Sequence, residues 1–175
     1  MAAGAESIVL GGGCFWCTEA VFQMFKGIVS TEPGYAGGKT PNPTYEKLFG
    51  DETGHAEVLM VKYDPEIMSL EKLLKIFFEM HDPTSLDRQG ADMGPEYRSM
   101  ILYTSDEQKG VIESSIKDAQ RGFSKPIVTE VRKLEKFYPA EDYHKGYYNK
   151  NPDQPYCSIV IAPKVEKIKR EFGLS

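Results

Sequence analysis

The stretch SIVLGGGCFWCTEAVFQMF, residues 7–25, is where the reading of the chain begins. Residues 7–10 form a short apolar run suited to a buried strand, and Gly11, Gly12 and Gly13 break it. From Phe15 the period changes. Thr18, Val21, Phe22 and Phe25 share one face of a helix, and Gly27 follows as its stop. A strand that turns through glycines into a helix puts Cys14 at the helix N-terminus. The free N–H groups there carry partial positive charge, so Cys14 is expected to ionise readily, and the thiolate is the nucleophilic form. A lone cysteine is most often a small buried hydrophobe. The glycine turn before Cys14, and Cys17 three residues after it, favour a reactive sulfur instead.

Outward from this unit, strands and helices alternate. Further strands are expected at 28–31, 56–63, 98–104, 127–134 and 157–161. Ser69 is expected to cap an amphipathic helix running to about residue 80, with Leu70, Leu73, Leu74 and Phe77 inward. Ser105 and Gln108 have the spacing of a capping box for a helix ending near Gly122, and a last helix starts at Pro163. Residues 33–54 and 81–97, rich in glycine, proline and polar side chains, read as two long loops, the places where function is expected. No repeat, linker or low-complexity tract divides the chain. The expectation is one catalytic domain over residues 1–175, with a flexible C-terminal region from about 145 to 175. The class is α+β: a two-layer sandwich of a mixed β-sheet with helices packed on it.

Composition narrows the function. Against 26 Asp and Glu the chain has 21 Lys and Arg, a net charge of −5, which is not the footprint of a nucleic-acid binder. The basic cluster at 164–170 is diluted by Glu166 and Glu171 and reads as a solvated helix face. No apolar run is long enough to span a membrane, and residues 1–7 do not make a secretory signal. Three cysteines, an odd number, do not make a disulfide framework, so thiol chemistry in the cytoplasm is expected. Cys14 and Cys17 form a C-x-x-C pair, suited to a redox disulfide across a helix start. Zinc would need two more ligands; only Cys157, His55, His81 and His144 remain, scattered along the chain, and no metal is expected.

Beyond this point the chain resembles a family. Gly13-Cys14-Phe15-Trp16 is similar to the active-site motif of A-type peptide methionine sulfoxide reductases. In the family's order follow Gly34-Tyr35-Ala36-Gly37-Gly38, Asn42-Pro43-Thr44-Tyr45, Gly54-His55-Ala56-Glu57, Gln89-Gly90-Ala91-Asp92-Met93-Gly94 with Glu96-Tyr97-Arg98-Ser99, and Phe137-Tyr138-Pro139-Ala140-Glu141-Asp142-Tyr143-His144. The resemblance implies reduction of the S epimer of methionine sulfoxide, free or in oxidised proteins, to methionine, a repair reaction under oxidative stress. It implies a sandwich related to the ferredoxin-like plait, no cofactor, a monomer, and recycling by a thioredoxin-like donor, for which dithiothreitol can substitute. The implied roles are Cys14 as nucleophile, Glu57 as general acid, Tyr45 and Tyr97 as donors to the sulfoxide oxygen, and Asp92 as a holder of the bound peptide or of water. Phe15 and Trp16 are implied to line a pocket for the substrate methyl group. Taken alone, Glu57 in an alternating strand would face solvent, the tyrosines would be packing residues, and Asp92 a turn residue.

Cys14 becomes a sulfenic acid in this scheme, and a second thiol condenses with it. Cys157, in a polar run near the C-terminus, is expected to do so first, with Cys17 as the other candidate. Many family members have glycine where this chain has Cys17. His55 and His144 read as structural. Two competing readings are a general C-x-x-C thiol–disulfide oxidoreductase, which needs no acid and no methyl pocket, and a non-enzymatic module that captures oxidised peptides.

Overall fold

The computed structural model describes residues 4–48 and 53–174. The chain runs β1 (Glu6–Gly11), α1 (Phe15–Phe22), β2 (Ile28–Ala36), α2 (Tyr45–Leu48), β3 (Ala56–Tyr63) and α3 (Leu70–Met80). A small hairpin, β4 (Arg88–Gln89) and β5 (Asp92–Met93), and a 3-10 turn (Pro95–Tyr97) lead to β6 (Met100–Tyr103), α4 (Asp106–Gln120), β7 (Glu130–Lys133) and β8 (Phe137–Pro139). A second 3-10 turn (Asp142–His144), α5 (Tyr147–Lys150), a π-helical turn (Cys157–Ile161) and α6 (Ala162–Glu171) follow. The fold is α+β. Its six-stranded sheet has the order β7-β6-β1-β3-β2-β8, antiparallel except for the parallel β6–β7 pair.

The sheet cannot be flat. Its two edge strands, β7 and β8, are joined by Leu134, Glu135 and Lys136 alone. Five inter-strand spacings would separate flat edges by about 24 Å. Four Cα steps from Lys133 to Phe137 reach at most about 14 Å. The sheet therefore curls until its edges approach, and both faces are covered. On one face Ile8, Leu10, Leu59, Val61 and Tyr63 pack with Val21, Phe22, Leu73, Leu74, Phe77 and Ile112 of the helices. On the other, Val9, Ala36, Ala56, Val58, Met100 and Leu102 are buried together under Leu134 and Phe137.

Several sequence expectations change. Residues 33–48 are not one loop: β2 continues through Pro33 to Ala36, and α2 follows, while 49–52 lie outside the described residues. Proline is tolerated there because Pro33 turns its backbone toward β8, which pairs with β2 only at Gly34, Tyr35 and Ala36. The Pro33 carbonyl accepts from Ala140 N (2.9 Å), and no ladder donor is needed. The segment 81–97 holds the β4–β5 hairpin, and the strands expected at 98–104 and 127–134 shorten to four residues each. The strand expected at 157–161 is helical. Cys157, Ile161, Val165 and Ile168 are buried at helical spacing, whereas Ser158 and Ile159 are exposed; a short apolar run cannot distinguish the two states.

Ser69 caps α3 as expected, accepting from Lys72 N at 3.2 Å. The capping box at Ser105 does not form. Gln108 instead turns inward, accepting from Thr104 N and donating to Ser7 O and Tyr63 Oη, which ties α4 to β1 and β3. Helix α1 is buried on nearly all sides, including its polar Thr18 and Glu19.

Candidate active site

Antiparallel pairing brings distant residues to one end of the sheet. The C-terminal ends of β1 and β2 both flank the N-terminal end of β3, and Tyr35 is the register partner of Glu57. The glycine turn after β1 then delivers Cys14 to the same end as the N-cap of α1. Gly13 has φ +93°, and a Cβ there would lie 2.8 Å from Gln89 Cγ. Glycine is required by both the backbone and the close approach of the hairpin.

Glu57 does not face solvent; it is 1% exposed, because the curled sheet covers both of its faces. Its Oε1 accepts from Phe15 N at 3.1 Å, one of the free donors at the start of α1. Its Oε2 is buried and has no hydrogen-bond partner among the described residues. Burial pushes the carboxyl up to about 8, helped by the charge of Asp92 and opposed by the Phe15 bond. Glu57 thus holds a proton at neutral pH, with an oxygen placed to use it.

The thiols depart from expectation. Helix-terminal placement was expected to make Cys14 acidic. Burial outweighs it: the thiol is pushed well up by desolvation, by its hydrogen bond to Cys17 and by the nearby Glu57. Cys17, receiving that hydrogen bond and near Lys164, is pulled down instead. Its sulfur also lies 3.8 Å from the Tyr156 hydroxyl. Cys14, Cys17 and Cys157 are buried in one cluster with Tyr97, Ala20 and Ile161, and none is in a disulfide. Within it, burial and then the charge of Cys17 push the Cys157 thiol up.

Aromatic rings surround the thiol. Trp16 donates from Nε1 to His144 Nδ1 (3.0 Å) and stacks on Tyr147 with centroids 3.7 Å apart, while Tyr156 meets its edge. Phe15 lies against Tyr35, Tyr45 and His144. Glu141 fixes the tyrosines: Oε1 accepts from Tyr35 Oη (2.8 Å) and Oε2 from Tyr45 N (3.1 Å). Tyr97 is buried beside Cys14 and Cys17. Burial, with Glu57 nearby, raises the Tyr45 and Tyr97 hydroxyls well above the ordinary tyrosine range, so both keep their protons. Asp92 accepts a short hydrogen bond from Tyr156 Oη (2.5 Å).

All the residues singled out in the sequence therefore meet in one place. Glu141, Tyr147 and Tyr156, also part of the site, were given no role from the sequence: Glu141 stood only as one residue of the Phe137–His144 motif, and no pattern ranks one ring of the aromatic-rich run 137–156 above another. His55 is structural: its Nδ1 accepts from Gly38 N (3.0 Å), which leaves Nε2 to donate to Thr40 O (2.7 Å). His144 stands in the site itself, holding Trp16.

Residues 6–174 match the family model described as peptide methionine sulfoxide reductase. The chain is 56% identical over 167 residues to the peptide methionine sulfoxide reductase MsrA of Sulfolobus acidocaldarius, covering 95% of each chain. Among solved structures it is similar to reduced Mxr1 from Saccharomyces cerevisiae, with TM-score 0.83, 34% identity, and 88% of this chain and 90% of that one covered. It is also similar to Mxr1 in complex with Trx2, with TM-score 0.61, 27% identity and 84% and 87% covered. With a buried thiol, a protonated carboxyl and an aromatic wall at one end of the sheet, and with these likenesses along nearly its whole length, the chain belongs to the peptide methionine sulfoxide reductase family.

Proposed function

We propose that the chain reduces the S epimer of methionine sulfoxide, free or in proteins, with Cys14 as nucleophile and Glu57 as general acid. The observation that carries this reading is the buried Oε2 of Glu57, without a hydrogen-bond partner among the described residues, on a carboxyl held protonated next to Cys14. The substrate methyl group lies against Phe15 and Trp16, and Tyr45 and Tyr97 donate to the sulfoxide oxygen, with Asp92 placing Tyr156 at the rim. Glu57 gives its proton to that oxygen as Cys14 attacks, and recovers the proton that Cys14 loses. The net step converts sulfoxide and thiol into methionine and a Cys14 sulfenic acid.

We take Cys17 rather than Cys157 as the first resolving thiol, a reading supported by its hydrogen bond to Cys14 one turn back along α1, which lowers its proton affinity. Its attack on the sulfenic acid forms a Cys14–Cys17 disulfide and releases water. Cys157, packed in the same cluster, then attacks Cys17 Sγ, forming a Cys17–Cys157 disulfide and releasing the Cys14 thiol for another substrate. A thioredoxin-like dithiol returns the enzyme to its thiol form. The solved complex of yeast Mxr1 with Trx2 supports that partner. No prosthetic group enters any step. We also relate the fold to the ferredoxin-like plait, on the β1-α1-β2-β3-α3-β6 order and the sheet order β6-β1-β3-β2.

The test is turnover of the two sulfoxide epimers separately, with dithiothreitol, for wild type and Cys14→Ser. Reduction of the S epimer alone, absent in Cys14→Ser, is the expected result. A folded wild type that reduces neither epimer but reduces insulin disulfides would overturn it in favour of a general C-x-x-C oxidoreductase.

A further inference from the structure

Glu19 is a buried carboxylate that the mechanism above does not use. It lies on α1, 1% exposed. Its Oε1 accepts from Gly146 N at 2.7 Å, and its Oε2 accepts from Thr31 Oγ1 at 3.1 Å. Gln23 donates to the same Thr31 hydroxyl (3.4 Å) and accepts from Asn149 Nδ2 (3.0 Å). These bonds tie α1 and its C-cap Gln23 to β2 and α5, one helical turn beyond the Phe15 N–H that Glu57 holds.

The residue held is unusual. Gly146 has φ +65° and is the turn between the 3-10 segment Asp142–His144 and α5. The residues on either side of this turn are the two that hold the Trp16 ring: His144 accepts its N–H, and Tyr147 stacks on its face. Gly146 is thus the pivot of the clamp on Trp16, and the Glu19 carboxylate fastens the pivot. We infer that Glu19 is a positioning residue, acting through Gly146, His144 and Tyr147 to orient the Trp16 wall of the methyl pocket. The inference rests on the proposed placement of the substrate methyl group against Trp16.

A buried carboxylate suits this task. It takes two donors at once, which an apolar side chain cannot, and a half-buried Gly146 N–H left unmatched would draw in water and loosen the turn. Glutamine keeps one carbonyl oxygen for Gly146 N–H; alanine keeps none.

The chain has a single tryptophan, so its fluorescence reports Trp16 directly. The experiment compares wild type, Glu19→Ala and Glu19→Gln by emission spectrum and by steady-state reduction of an S-sulfoxide peptide with dithiothreitol. In Glu19→Ala the emission is expected to shift to the red and KM to rise about tenfold or more, with kcat changed less than about threefold, because uniform binding to the methyl pocket is what is lost. Glu19→Gln should restore both readouts most of the way. A Glu19→Ala protein with wild-type emission and KM, whatever its melting temperature, overturns the inference. If that variant does not fold, Gly146→Ala, strained at its positive φ with Glu19 left in place, must show the same red shift and KM rise; its failure to do so also overturns it. Wild-type turnover in the same assay tests the proposed reaction separately.

Discussion

At the scale of single residues, the resting protein stores its reactivity in protonated groups. The glutamic acid opposite Cys14 has one oxygen matched and one unmatched, and burial holds its proton on up to about pH 8. Glu57→Gln keeps the shape and removes the acid, so the sulfoxide-reduction step should slow by about 10²- to 10⁴-fold, measured in a single turnover. In wild type the same rate should fall as pH rises through about 8, where Glu57 ionises; the variant should lack that limb. Stability follows the same proton. An unfolded glutamate titrates near about 4.3, so between there and about 8 the folded state holds the extra proton, and stability declines as pH rises across that window. Chemical denaturation at pH 5 and pH 9 should therefore show a smaller loss for Glu57→Gln than for wild type.

At the scale of elements, the β2–β8 pair is a tight contact that shapes the site. A Cβ on Gly34 would lie 2.3 Å from the Phe137 ring and 2.5 Å from Tyr138 O, and backbone cannot yield as a side-chain tip can. Gly34→Ala should cost about 3 kcal/mol in urea unfolding and displace Tyr35. Ser69→Ala, which removes only the α3 cap, should cost about 1 kcal/mol and leave turnover unchanged, a useful control. These elements were legible in the sequence to different degrees. Helix α3 was, because its apolar period and its cap are both local. The strand–glycine–helix unit around Cys14 was for the same reason. The extension of β2 through Pro33 was not, since it depends on pairing with β3 and β8, which a run of glycine and proline does not announce. The inward side chain of Glu57 was not legible from alternation either: that pattern assumes one wet face, and a curled sheet has none there. Resemblance supplied its role, and geometry supplies the reason. The acidity expected of Cys14 failed because a helix terminus is visible in sequence and burial is not.

At the scale of the whole molecule, the site draws on residues from Cys14 to Cys157, so every turn of the cycle engages most of the chain. Mapping disulfides by intact mass and peptide digestion after one turnover should show a Cys14–Cys17 bridge in Cys157→Ser and, in wild type, its exchange onto Cys157 as a Cys17–Cys157 bridge. In Cys17→Ser the sulfenic acid should persist long enough to be trapped by dimedone. A Cys14–Cys157 bridge forming as fast in Cys17→Ser as any bridge in wild type would reverse the order of the two resolving thiols. The short tie between β7 and β8 has a consequence of another kind. Because it rolls the sheet nearly shut, the exposed borders are a strand of four residues carrying Glu130, Arg132 and Lys133 and one of three ending in Pro139. Short, charged and proline-terminated borders are poor templates for foreign strands. If oxidised, loosened chains are its substrates, as proposed, the protein offers them a pocket but almost no edge on which to begin an aggregate.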